Sequence, residues 1–186
     1  MITVKQLIQN TTKNEAVGGY RHLILEKYNQ YRKKTKKKLV VLSNKLPYNH
    51  PEKRPYFVTY WKILSENRKN VWYDVIIQFI TENRIAPDTQ VRIFCNSPQF
   101  TYTYAYCFNQ TGDLIFEYLY EPIVLSEKPK ERNPLCLKGL DKHVYVGIKE
   151  SISNRLTYDK VNKLKLTQWP EIMTVKSFEM KFLRKR

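Results

Sequence analysis

Residues Ile93–Tyr102 read Ile-Phe-Cys-Asn-Ser-Pro-Gln-Phe-Thr-Tyr, and residues Arg132–Val144 read Arg-Asn-Pro-Leu-Cys-Leu-Lys-Gly-Leu-Asp-Lys-His-Val. Each stretch carries a closely spaced pair of polar side chains, Cys95 with Ser97 and Asp141 with His143. This is the spacing of a zinc site of the form Cys-x-Cys…Cys-x-His. Structural zinc takes four deprotonated sulfur, nitrogen or carboxylate donors. A serine hydroxyl is not one of them, so the sequence predicts the geometry of such a site with degenerate ligands.

The same two stretches carry a family resemblance. The run Cys-x-x-Pro-x-Phe-x-Tyr that begins at Cys95 is followed by Asn-Pro at 133–134 and by Gly-Leu-x-Lys-His ending at His143. This pattern resembles a group of small tailed-phage proteins with a SWIM-like finger, Cys-x-Cys-Pro-Asp-Phe…Asn-Pro…Pro-Gly-x-Cys-Lys-His. The resemblance covers about residues 71 to 150. It implies a phage-encoded virion or accessory protein and a helix from about Phe100 to Asn109.

Cys95 and His143 each have a second interpretation. Free cysteine is among the most buried residue types, so we predict that Cys95 is a core thiol at the end of a strand. We predict that His143 is a hydrogen-bonded core residue in the first turn of a helix, with a zinc ligand as the alternative. Two strong ligands supply less folding free energy than four. The sequence therefore predicts no cofactor and folding without zinc.

Composition excludes several classes of protein. The 186-residue chain is 42% hydrophobic, which is enough for a folded core, and its 5 Gly argue against a glycine-rich nucleotide loop. No apolar run reaches the ~18 residues of a membrane span, and the first residues lack the pattern of a secretion signal. The 3 Cys are odd in number and lack disulfide-scaffold spacing, which is typical of a protein made in a reducing cytoplasm.

The net charge of +16 is divided unevenly along the chain. Residues 1–54 carry 13 Lys and Arg against 3 Asp and Glu, residues 55–140 carry 9 of each, and residues 141–186 carry 11 against 5. This division predicts a neutral central α+β domain, residues 55–155, between a basic N-terminal arm, residues 1–54, and a basic C-terminal extension, residues 156–186. Such ends suit an acidic partner.

Two clusters of cations are the candidate contacts with nucleic acid or an acidic protein. The first cluster has two open interpretations. It is either a solvated loop or a patch that binds phosphates and so releases counterions from the nucleic acid. Phe182 and Leu183, just before the second cluster, are candidate apolar anchors at an interface. The candidate cations are Arg32, Lys33, Lys34, Lys36, Lys37 and Lys38 in the first cluster and Arg184, Lys185 and Arg186 in the second.

Hydrophobic patterning predicts an α+β fold built on a small antiparallel β-meander with a few flanking helices. Expected strands are residues 39–42, 56–64, 71–80 and 90–96, the third of them covered on both faces. Thr3 and Gln6 have the spacing of a capping box at a first helix, and residues 140–152 have helical periodicity. Residues 100–106 alternate like a strand, against the helix that the resemblance implies. Residues 121–134 are predicted to form a loop.

No motif of a known catalytic machinery is present: there is no phosphate-binding Gly-x-x-x-x-Gly-Lys loop, nucleophile elbow or His-Glu-x-x-His. We therefore predict a protein that is not an enzyme. The first hypothesis is a structural component of a tailed-phage virion, in the head, the head-tail connector or the tail, made in the host cytoplasm. Its partners would be other virion proteins in a symmetric assembly, and packaged DNA. The alternatives are a phage nucleic-acid-binding accessory protein and a small zinc-dependent module that binds a host protein.

Overall fold

The computed structural model describes residues 1–13, 37–42, 54–162 and 172–173. Within these residues, six strands form one sheet in the order β1-β5-β4-β3-β2-β6. Strands β2 to β5 follow one another in the chain and each pairs antiparallel with the next, which confirms the predicted α+β fold with an antiparallel meander, whereas β6 pairs in parallel with β2. The strands are β1 (Ile2–Thr3), β2 (Lys37–Leu42), β3 (Phe57–Leu64), β4 (Trp72–Ile80), β5 (Gln90–Cys95) and β6 (Ile172–Met173).

Strand β4 lies at the centre of the meander and is buried on both faces, as its apolar sequence predicted. On one face it packs against helix α5 (Lys142–Ser153), where Gly147 permits close approach. A Cβ atom at Gly147 would lie 3.2 Å from Ile77 Cδ1 and 3.3 Å from Val75 Cγ1. On the other face, the Phe94 ring of the neighbouring strand contacts Phe116 edge-on at 6.0 Å between centroids. The sheet therefore lies between α5 on one face and the segment that contains Phe116 on the other.

The first thirteen residues belong to the folded body. Helix α1 (Val4–Lys13) begins with the predicted capping box: the Thr3 N–H donates to Gln6 Oε1 at 2.9 Å, and the Gln6 N–H donates to Thr3 Oγ1 at 3.2 Å. Leu7 is fully buried, and Thr11 Oγ1 accepts from the Leu140 N–H at 2.7 Å. The N-terminal stretch that charge predicted as an arm thus contributes core residues.

The body also extends past the predicted boundary at residue 156. Leu156 is buried in the hydrophobic core, and helix α6 (Tyr158–Asn162) follows it. The Tyr158 N–H donates to the Glu82 carbonyl at 3.3 Å, and Val161 packs against the core. The distribution of charge along the sequence does not predict where the folded body ends, because the packing after residue 156 depends on isolated apolar residues.

A continuous helical segment follows β5. It comprises α2 (Pro98–Phe100), a π-helical turn (Thr101–Ala105) and α3 (Tyr106–Asn109). The strand that alternation favoured here is wrong, because Ser97 caps the segment and Pro98 occupies a first-turn position. A 3-10 turn covers Glu117–Leu119.

The predicted loop over residues 121–134 is wrong in part, since it contains the short helix α4 (Pro122–Ser126), which begins at a proline.

Cys107 in α3 and Cys136 form a disulfide across 29 residues of sequence, and Cys95 is a free, buried cysteine. The cysteine spacing did not predict this bond. Asn133 is buried beside it, where its Nδ2 donates to the carbonyls of Thr103 at 3.0 Å and Leu137 at 2.9 Å. The loop between α4 and α5 is thus fixed to the helical segment.

Candidate functional site

The four residues that the sequence analysis paired meet at one junction, between the end of β5 and the start of α5. Cys95 is the last residue of its strand and fully buried, as predicted. Ser97 Oγ accepts from the Phe100 N–H at 3.2 Å and caps the helical segment. Asp141 Oδ1 accepts from the Val144 N–H at 2.7 Å and caps α5, and His143 lies in the first turn of that helix. We call Cys95, Ser97, Asp141 and His143 the buried polar cluster.

Asp141 is the centre of the buried polar cluster, and its Oδ2 atom contacts all three partners. Ser97 Oγ donates to Oδ2 at 2.5 Å, and His143 Nδ1 lies 2.9 Å from the same oxygen. Cys95 Sγ is 4.0 Å from it and accepts from the Ser97 N–H at 3.5 Å. One carboxylate therefore joins two segments that are 44 residues apart at Ser97 and Asp141.

Electrostatics favour an ionised Asp141 and a protonated Cys95. Burial raises the pKa of Asp141, but the charge of His143 and the hydrogen bonds from His143, Ser97 and the Val144 N–H outweigh it and hold that pKa below its ordinary value. Burial, together with the negative charge of Asp141, raises the pKa of the Cys95 thiol well above its ordinary value.

The buried polar cluster does not fit a zinc ion. Structural zinc takes four deprotonated sulfur, nitrogen or carboxylate donors, whereas the Ser97 hydroxyl is not such a donor and uses its proton on Asp141. Cys107 and Cys136, the other sulfur donors, are joined to each other. Within the residues that the structure describes, no group of three or more His, Cys, Asp or Glu side chains is arranged to hold a metal ion.

The pattern of donors and acceptors in the cluster also differs from that around an activated serine nucleophile. An activated serine donates to a base that a third group orients, but here Ser97 donates directly to Asp141, and His143 meets that same oxygen. His143 Nε2 is buried without a hydrogen-bond partner in the described residues, and its ring packs edge-on against Tyr73 at 4.6 Å. The arrangement joins a strand to a helix, and all four of its side chains are buried.

Most of the predicted basic contacts lie outside the described residues. These are Arg32, Lys33, Lys34, Lys36, Arg184, Lys185 and Arg186, together with the proposed anchors Phe182 and Leu183. Lys37 and Lys38 are the first two residues of β2, in register with Ile63 and Lys62 of β3. The first basic cluster therefore runs into the sheet, two residues before the strand that the apolar sequence predicted.

Tyr120 completes the surroundings of Cys95 and was missed by the sequence analysis. Its hydroxyl donates to the Cys95 carbonyl at 2.8 Å and accepts from the Cys95 N–H at 3.1 Å. Burial raises the pKa of Tyr120 well above its ordinary value. No local pattern marks Tyr120 as a partner of a strand end, since the contact spans 25 residues.

The chain was compared with protein-family models, with curated proteins and with solved structures, and none of the three comparisons finds a match.

In the described part of the chain, no helix has both the length and the hydrophobicity that crossing a membrane requires.

We expect chelation of metal to leave the fold intact. Because Ser97 and His143 form hydrogen bonds with Asp141 without any metal, a large excess of EDTA should leave the thermal midpoint of unfolding unchanged. Elemental analysis of the untreated protein checks the same point. About one zinc per chain, with unfolding on chelation, would contradict this expectation.

Proposed function

We propose that the chain is a non-enzymatic structural protein of a tailed-phage virion, a component of the head, the head-tail connector or the tail. The observation that carries the proposal is the meeting of Cys95, Ser97, Asp141 and His143 in one buried cluster. These are the four ligand positions of the finger that the sequence resembles, although the chain has Ser97 and Asp141 where the phage proteins have cysteines. The cluster acts as a structural joint, which suits a building block better than an enzyme.

Charge supports the same proposal. The central residues 55–140 are electrically neutral, and the excess of Lys and Arg lies on either side of them. Neutral bodies with basic ends suit contacts with acidic neighbouring subunits or with packaged DNA, where cations neutralise phosphates. Closed symmetric assemblies are the usual form of such oligomers. Phe182 and Leu183 remain the proposed apolar anchors of the C-terminal end.

The test is mass spectrometry of washed particles of the phage that encodes the chain, with and without the C-terminal end. Because Leu156 is in the core and α6 ends at Asn162, truncation belongs after Asn162. We expect the full-length chain at constant stoichiometry in the particles, and a truncated chain that is folded but not incorporated. Absence of the full-length chain from particles, or a purified chain that is monomeric with the residues after Asn162 resistant to protease, would overturn the proposal.

A further inference from the structure

A groove lies on the opposite side of the helical segment from the core. It is open to solvent and has a volume of about 480 Å³, which is within the range of roughly 300–1,000 Å³ that organic ligand sites occupy. One wall is the helical segment, the second is α4, and the third is the loop that follows α4. The side chains that matter here are Tyr102, Tyr106, Ile123, Lys128, Lys130 and Arg132.

Two tyrosines form the aromatic wall. Tyr102 is 56% exposed although its neighbours Thr103 and Tyr104 are buried. Tyr106 lies four positions further along the helical segment and lines the same groove. Tyr102 lies in the π-helical turn, a rare conformation that is frequent at functional sites. Neither hydroxyl forms a hydrogen bond with the described residues, and the Tyr102 ring is exposed while the Tyr106 ring is partly buried.

Three cations form the opposite wall. Lys128, Lys130 and Arg132 are exposed and form no ion pair within the part of the chain that the structure describes. Glu127 and Glu131 lie on the same loop, so the excess of positive charge at the rim is small. Charge alone is therefore too weak here to hold a duplex backbone. A ligand that adds ring stacking to a few phosphate contacts fits better.

The groove is fixed before any ligand arrives. Buried Asn133 ties the loop directly behind Arg132 to the Thr103 carbonyl in the aromatic wall. The disulfide joins Cys136 to Cys107 in α3, one residue after Tyr106. A loop held at this point loses little conformational entropy on binding, which favours affinity.

We infer that this groove binds single-stranded nucleic acid, with bases stacked on Tyr102 and Tyr106 and phosphates contacting Lys128, Lys130 and Arg132. Stacking on aromatic rings beside a cationic surface is the general mode of sequence-tolerant single-strand binding. This inference goes beyond the proposed function, because the groove lies in the folded body and none of its lining residues belongs to the two basic clusters. It also requires unpaired bases, which contacts by basic ends do not.

The test is fluorescence anisotropy of the full-length chain with a labelled oligothymidine of about 12 nucleotides, at a salt concentration of about 0.3 M to suppress binding by charge alone. Tyr102→Ala should weaken binding by about 5- to 150-fold, the range for loss of one stacked base. Tyr102→Phe should retain it, because the ring remains. Tyr158→Ala, which removes another exposed tyrosine, serves as the matched control and should have no effect.

A second set of variants tests the cations. Combined Lys128→Ala, Lys130→Ala and Arg132→Ala should reduce the slope of log affinity against log salt by about 2, at ~0.7 per single-strand phosphate. The matched control removes three exposed cations elsewhere, Arg68, Lys69 and Arg84. Oligothymidine binding that is unchanged by Tyr102→Ala, or that falls equally with the controls, overturns the inference. Groove-dependent binding of polyglutamate without oligothymidine binding would likewise overturn it, in favour of an acidic protein partner.

Discussion

Asp141→Ala is expected to lower the free energy of unfolding by about 3–5 kcal/mol, the range for removing one partner of a buried ionic pair. The variant leaves His143 and Ser97 in the buried polar cluster without their shared acceptor. It also removes the N-cap of α5, a contribution of about 1 kcal/mol within that total. Urea unfolding at neutral pH measures the change.

Two further variants serve as comparisons for Asp141→Ala. Asp88→Ala removes an exposed carboxylate in a turn and should stay within about 0.5 kcal/mol of the unmodified chain. Asp141→Asn keeps a good capping side chain but removes the charge, so it should fall between the unmodified chain and Asp141→Ala. A loss below about 1 kcal/mol for Asp141→Ala would show that the cluster does not hold the strand and helix together.

The same carboxylate sets the pH at which this stabilisation is lost. The folded-state pKa of Asp141 is below its ordinary value, so its contribution is fully present above the unfolded pKa of about 3.9 and disappears as the pH falls through the folded value. The stability difference between the unmodified chain and Asp141→Asn should therefore shrink as the pH falls below about 4. A difference that stays constant down to pH ~2 would contradict an ionised Asp141.

Loss of the disulfide between Cys107 and Cys136 is expected to lower the free energy of unfolding by about 3–4 kcal/mol, from the closure entropy of a loop of this length. The experiment compares urea unfolding of the oxidised chain with that of a chain reduced while unfolded and then refolded in reductant. The chain with Cys107→Ala and Cys136→Ala is the control, because reductant should not change its stability.

Thiol counting checks the bond directly. The denatured chain should titrate one free thiol, that of Cys95, before reduction and three after it. Three thiols before reduction, or unfolding midpoints that do not respond to reductant, would show that the bond is absent from the purified protein. Because the bond fixes the loop of the groove, reduction should also weaken oligothymidine binding in the anisotropy experiment.

Local physical chemistry accounts for what the sequence predicted. The meander was predicted from apolar residues with strand-like patterning. This pattern reflects burial, and β4 is buried along nearly its whole length. The capping box at Thr3 and Gln6 is a contact between near neighbours and was found from spacing alone. Helical periodicity also predicted α5, although Ile152 near its end is 39% exposed. Such features need no knowledge of distant segments.

Contacts between distant segments account for what the sequence did not predict. The bond of Cys107 to Cys136, the burial of Asn133 and the contact of Tyr120 with Cys95 each depend on where a loop returns to the sheet. The buried polar cluster was predicted from the sequence only in part. Its four positions were expected from the resemblance, but the hydrogen bonds of Asp141 with Ser97 and His143 follow only from the atomic distances.

The outer edge of the sheet at β5 is closed to strand addition. Its residues 90 and 91 pair with β1, Ile93 exchanges backbone hydrogen bonds with the segment at Asp113 and Ile115, and the Cys95 backbone is bonded to the Tyr120 hydroxyl. An unpaired edge is a template for edge-to-edge polymerisation and for docking of extended peptides. At β5 no backbone row is left for either, so a second copy of this chain cannot add a strand there. Any neighbour that meets this side of the molecule must recognise its side chains.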